Sequence, residues 1–219
     1  MNSLIDLSPE FLHATIQTLA MVSVAVLCCA IFGLVLGSLL AATSPQGIAP
    51  SRGIHQIVAA LVNVSRSIPF LILIVLLLPL TRLLVGSSIG TAAAIVPLVI
   101  GGTPYAARLV EAALLDVDPG LIQAMITMGA SPVQTVWRAY LPESIPGLIR
   151  AFTVLAITMI NFSAMAGAVG GGGLGDLAIR YGYQRFRIDV LLLCCVVLIV
   201  LVQIIQFVGN HLARSFDRR

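Results

Sequence analysis

The sequence predicts an all-α polytopic membrane protein with five transmembrane helices and a cytoplasmic two-helix segment. Three observations point there. Of the 219 residues, 59% are hydrophobic and only 10% are charged, whereas a soluble domain carries about 25% charged residues. The apolar residues form continuous runs, as in helices, and not the alternation of barrel strands. The longest connection between the runs, 116–146, is polar enough to leave the membrane, and turn residues punctuate it.

The chain reads as a single transmembrane domain over 1–219. A helix needs about 20 apolar residues to cross a hydrocarbon core of roughly 30 Å, and five runs qualify. The first covers about 11–42 and meets no basic residue before Arg52. The residues ahead of it include Asp6 and no basic cluster, so the run is expected to be a retained span rather than a cleaved leader. The second covers about 54–80 and carries Arg66. The third covers about 88–115 and contains Pro97 and Pro104, which imply kinks that neighbouring helices repair. The fourth covers about 147–168, and the fifth about 188–213.

Five spans put the two termini on opposite sides. With the N-terminus outside and the C-terminus cytoplasmic, the inner side collects Arg52, Arg66, Arg108, Arg138, Arg150, Arg214, Arg218 and Arg219. The outer side keeps Arg82, Arg180, Arg185 and Arg187, so the positive-inside rule favours this orientation.

The polar stretch has its own grammar. Asp118 and Pro119 read as the N-cap and first residue of a helix, and Gly129 as the residue that ends it. That helix, of about ten residues, is too short to span. Ser131 and Pro132 restart a second helix, Ser131 and Gln134 have capping-box spacing, and the pair Leu141–Pro142 is expected to stop it. Leu121, Ile122, Met125, Ile126 and Met128 give the segment an apolar face. Two readings stand side by side: an interfacial helix lying on lipid, and a helix that fills a groove on a partner protein.

Composition also excludes chemistry. All 12 basic residues are Arg and there is no Lys, so neither a Walker A loop nor a Schiff-base lysine is possible. His13, His55 and His211 lie far apart with no metal-ligand spacing. The cysteines fall in two adjacent pairs, Cys28–Cys29 and Cys194–Cys195, inside apolar runs, as small packing residues do. No catalytic, cofactor-binding or metal-ligating set is expected, and no nucleic-acid partner. A membrane-embedded enzyme would need clustered ionisable groups at mid-membrane depth, which the spans lack. A channel would want a charged ring or a carbonyl filter.

At 123–142 the sequence resembles the cytoplasmic loop of binding-protein-dependent ABC importer permeases. Their motif is Glu-Ala-Ala, three residues, Gly, nine residues, then Ile-x-Leu-Pro. Ala124, Gly129, Leu141 and Pro142 match at the right spacing, while Gln123, Met125 and Ala139 depart from it. Further stretches resemble the methionine-type members. These are 63–70 (Asn-Val-Ser-Arg-Ser-Ile-Pro-Phe), 86–90 (Gly-Ser-Ser-Ile-Gly), 94–98 (Ala-Ile-Val-Pro-Leu) and 107–111 (Ala-Arg-Leu-Val-Glu). The most specific is 162–170 (Phe-Ser-Ala-Met-Ala-Gly-Ala-Val-Gly) followed by 172–175 (Gly-Gly-Leu-Gly). The resemblance covers about 10–219. It implies a permease of the bacterial inner membrane that forms a homodimer around a central pathway. Two ATP-binding-cassette ATPases below and a methionine-binding lipoprotein outside would complete the importer, with D- or L-methionine as substrate. Gln123, Ala124, Gly129, Leu141 and Pro142 are then the ATPase-coupling residues. Permeases for other amino acids or osmoprotectants are the alternative.

Several signals remain. Gly33 and Gly37 form a GxxxG pair that lets helix backbones approach. Gly170, Gly172 and Gly175 fit GxGxxG, but no strand precedes them, so they read as a flexible connection and not as a dinucleotide site; the resemblance implies a place beside an outer gate. In the fourth span Thr153, Thr158, Asn161 and Ser163 serve either helix-to-helix hydrogen bonds, worth about 0.6 kcal/mol each, or a pathway lining. Asn161, Ser163 and Met165 are the candidate pathway and gate residues, with Met165 as a deformable apolar constriction. Arg66 and Arg108 read as snorkelling residues, with a structural pair to Glu111 or to the 118–142 segment as the alternative. Arg214, Arg218 and Arg219 read as lipid anchors.

Overall fold

The computed structural model describes residues 8–216; Met1, Asn2 and Asp6 at the N-terminus, and Arg218 and Arg219 of the basic cluster, lie outside them. Among the described residues there are helices and no strands. Helix α1 (Ser8–Thr43) opens with Glu10 in its first turn, where a carboxylate suits the helix dipole. It ends ahead of Pro45, which cannot continue it. Helices α2 (Arg52–Ser67) and α3 (Phe70–Val85) follow. Then come α4 (Thr91–Leu115), α5 (Pro119–Thr127) and α6 (Pro132–Thr135). A π turn, Val136–Tyr140, leads into α7 (Leu141–Ala168). The short α8 (Gly173–Leu177) runs into a second π turn, Ala178–Tyr183, and α9 (Ile188–Phe216) closes the chain.

Four helical runs are long and apolar enough to cross a membrane, and five if α2 and α3 count as one broken span. The expected continuous span at 54–80 is therefore two helices. Pro69 explains the break, because a proline pushes the residue before it out of the helical region. The third span begins at Thr91 rather than 88. Gly86 and Gly90 have φ of +81° and +104°, and Gly86 donates to the Arg82 carbonyl at 2.9 Å to cap α3.

Leu141–Pro142 departs from the expectation as well. These residues do not stop a helix: 132–168 is one helical run. In the π turn the Leu141 N–H donates to the Val136 carbonyl, five residues back. A proline inside a helix normally orphans a carbonyl four residues earlier and clashes with it. The widened turn directly before Pro142 relieves that conflict.

The chain divides into two compact units. One comprises Met1–Cys28, Ile68–Gly102 and Ala156–Gln206. Its core packs Phe11 and Ala14 of α1 with Leu174, Leu177, Val190 and Cys194. The other comprises Cys29–Ser67, Thr103–Leu155 and Phe207–Arg219. Its core joins Ala41, Val110, Leu114, Val117, Ile122 and Tyr140. There Gly33 and Gly37 bring α1 onto α4. A Cβ at Gly33 would lie 2.5 Å from the Ala106 Cβ, and one at Gly37 would lie 2.6 Å from the Ala107 oxygen. The GxxxG pair is therefore a real backbone approach. All four cysteines are free thiols.

Candidate coupling and pathway sites

The 118–142 segment forms from local chemistry. The Asp118 side chain accepts the Gly120 N–H at 2.7 Å, and Pro119 opens α5. Gly129, at φ +79°, ends it. Its N–H donates to the Ile126 carbonyl at 2.9 Å, and the Ala130 N–H donates to Met125 at 3.1 Å. This pair of bonds is the Schellman closure. Ser131 and Gln134 then form the reciprocal capping box, with Ser131 N–H to Gln134 Oε1 at 2.9 Å and Gln134 N–H to Ser131 Oγ at 3.3 Å. Every turn of the segment is thus fixed by named bonds.

One face of α5 is pinned. Ile122 is buried in a cluster with Val117, Ala139 and Tyr140. The other face is presented outward: Leu121, Ile126 and Met128 are exposed, Met128 to 82%. Gln123, Ala124 and Gly129 share that exposure, whereas Leu141 is half-buried beside exposed Pro142. A hollow of about 530 Å³ lies against α5, lined in part by Gln46, Gln123, Ile126 and Tyr140. The segment thus carries an outward apolar face on a frame braced by its own caps.

The candidate pathway residues fall on two faces of α7. Asn161 and Met165, one turn apart, are both exposed. Ser163 is buried, with 1% of its surface exposed, and donates to the Ile160 carbonyl at 2.7 Å. Beside Asn161, Phe162 stacks on Phe70 with ring centroids 4.1 Å apart, which fixes this part of α7 against α3. Thr153 donates to the Ile149 carbonyl at 2.8 Å.

The glycine-rich connection proves to be braced rather than flexible. Gly172 and Gly173 both have φ of +75°. The Gly173 N–H donates to Gln17 Oε1 at 3.0 Å, and the Leu174 N–H to Thr18 Oγ1 at 2.9 Å. Two side chains of α1 thus satisfy N–H groups at the start of α8 that would otherwise be orphaned. A Cβ at Gly173 would lie 2.5 Å from Thr18 Oγ1, so this position requires glycine. The sequence reading missed Gln17 and Thr18. The signal was present, because polar residues inside an apolar span need a protein partner.

Arg108 is also better housed than snorkelling implies. It forms an ion pair with Glu111 at 2.6 Å, donates to Asn63 Oδ1 at 2.9 Å and reaches the Ala59 carbonyl at 3.4 Å. The alternative reading with Glu111 is therefore the one realised, with α2 drawn in as well. Arg66 lies over the Tyr105 ring at 5.7 Å. Among the described residues no cluster of His, Cys, Asp or Glu has the make-up of a metal site.

Known proteins share this architecture along the full chain. The chain is 48% identical over 212 residues to the probable D-methionine transport system permease protein MetI of Vibrio cholerae, covering 97% of this chain and 94% of that protein. It is 45% identical over 181 residues to the methionine import system permease protein MetP of Bacillus subtilis, covering 83% and 82% respectively. A structure of the MetNI methionine ABC transporter in inward-facing conformations matches with a TM-score of 0.96 at 43% identity, covering all of both chains. The family model of the binding-protein-dependent transport system inner membrane component matches residues 33–219, and the chain belongs to that family.

Proposed function

We propose that this chain is the transmembrane permease of an ATP-driven methionine importer, for the D enantiomer, the L enantiomer or both. Two copies enclose the pathway, two ATP-binding-cassette ATPases sit on the cytoplasmic side, and a methionine-binding lipoprotein delivers substrate from outside. The N-terminus lies outside and the C-terminus in the cytoplasm, as the arginine distribution favours.

The observation that carries this reading is the braced segment 118–142, in a chain alike along its length to proteins named for methionine transport. This chain has no lysine and no phosphate-binding loop, so the engine belongs to a partner. Gln123, Ala124 and Gly129 form the seat for that partner. Leu141 and Pro142 carry the helix on from the π turn into α7. A push on the seat then passes along one helical run to Asn161 and Met165, which line the pathway, while Ser163 packs behind them. Met165 supplies an apolar constriction that deforms as the pathway opens.

The test is uptake of labelled methionine by proteoliposomes holding the chain and its ATPase, with the methionine-binding protein supplied on the substrate side. Uptake is expected to require ATP and the ATPase, and to be competed by unlabelled methionine but not by other amino acids or osmoprotectants. Gly129→Val should lower uptake about tenfold, because a left-handed backbone costs an L residue about 1–2 kcal/mol and a β-branched one more. Gly129→Asn, which tolerates that backbone, should keep most of it. Full uptake by Gly129→Val would remove the coupling role from the segment, and ATP-independent uptake would remove the importer reading.

A further inference from the structure

A crevice lies between the end of α1 and the start of α2, with a volume of about 420 Å³. Thr43, Ser51, Arg52, His55 and Gln56 are among the residues that line it, and no acidic side chain does. Arg108, Arg180 and Arg187 each hold a carboxylate, on Glu111, Asp176 and Asp189. Arg52 is exposed and has no such partner among the described residues. We propose that this crevice binds a phosphate group, carried by a phospholipid headgroup or as free phosphate.

The donor set fits that ligand. A guanidinium presents a planar fork of N–H groups that matches two phosphate oxygens. The Gln56 amide and the Ser51 hydroxyl supply further donors from the same wall. The walls are built before any ligand arrives. Ser51 N–H donates to Thr43 at 3.1 Å, and Ala49 N–H donates to Ala42 at 3.0 Å. Thr43 Oγ1 donates to Leu39 at 2.7 Å. His55 Nδ1 lies 3.2 Å from the Leu40 carbonyl. A carbonyl only accepts, so that nitrogen carries the proton and the ring is held in one tautomer. Gly47 keeps the loop tight, since a Cβ there would strike the carbonyls of Ala41 and Ala42.

Depth fits as well. The 36 residues of α1 extend about 54 Å, well beyond a hydrocarbon core of about 30 Å. Its Thr43 end therefore emerges at headgroup level or past it, where phosphate groups lie.

The test uses the full chain in mild detergent and native mass spectrometry. The probes are phosphatidylglycerol, diacylglycerol of the same acyl chains, and inorganic phosphate. The wild-type chain should hold phosphatidylglycerol at least about tenfold more tightly than Arg52→Gln does, the size expected for losing a charge-assisted hydrogen bond. Diacylglycerol should bind both alike, and Arg52→Lys should restore part of the difference. Gln56→Glu, which sets a negative charge against the ligand and leaves Arg52 in place, should lose phosphatidylglycerol as well. Displacement by inorganic phosphate would assign the site to phosphate from any carrier, and resistance to it would assign the site to the lipid headgroup. Equal phosphatidylglycerol retention by wild type, Arg52→Gln and Gln56→Glu overturns the proposal, as does diacylglycerol bound as tightly as phosphatidylglycerol.

Discussion

Arg108 illustrates how this chain accommodates charge inside an apolar helix. Glu111 is 7% exposed, and its carboxylate has Arg108 three residues away as its ion-pair partner. Removing one member of a buried pair leaves an uncompensated charge, which costs about 3 kcal/mol or more, whereas replacing both with apolar residues is often nearly neutral. Arg108→Ala should therefore lower unfolding stability in detergent by about 3 kcal/mol, and the double change Arg108→Leu with Glu111→Leu should recover most of the loss. Equal stability of wild type and Arg108→Ala would show that water already neutralises the pair. The spacing of three residues on one helix made the ion pair legible in the sequence. The contact with Asn63, 45 residues away, was not, because nothing local to either residue encodes it.

At the scale of elements, caps were legible and hydrogen-bond register was not. Asp118, Gly129, Ser131 and Gln134 act within a few residues of themselves, so their identities alone place the ends of α5 and α6. Ser131→Ala removes one half of the capping box and should cost the segment about 1 kcal/mol. The measurement is amide hydrogen exchange, which should speed up at Gln134 and its neighbours while exchange in the middle of α4 stays unchanged. Unchanged exchange at Gln134 would mean that packing by Thr135 and Tyr140, both buried, holds the turn without the cap. The role of Pro142 escaped the sequence for a different reason. Proline is read as a stop because an α-helix has no place for it, and the π turn at Val136–Tyr140 provides that place.

For the whole molecule, the arginine distribution makes a prediction about topology. A fluorescent protein fused after Arg219 should fold and emit in the cytoplasm, and an alkaline phosphatase at the same position should stay inactive. The reverse pattern would invert the proposed orientation and place the 118–142 segment outside. The long apolar runs were legible in the sequence, because a bilayer demands long apolar stretches whose backbone bonds are satisfied within each helix, but the break of the 54–80 run into two helices was not. The ends of the 118–142 segment were determined the same way, by caps that act locally. Tertiary structure alone decided which side chains meet. Gln17 and Thr18 cap a turn 156 residues away, Phe70 stacks on Phe162, and Ser163 faces away from Asn161 and Met165. Inside a bilayer nearly every face of these helices is apolar, so hydropathy cannot say which face meets protein. Close packing and a few polar contacts settle it.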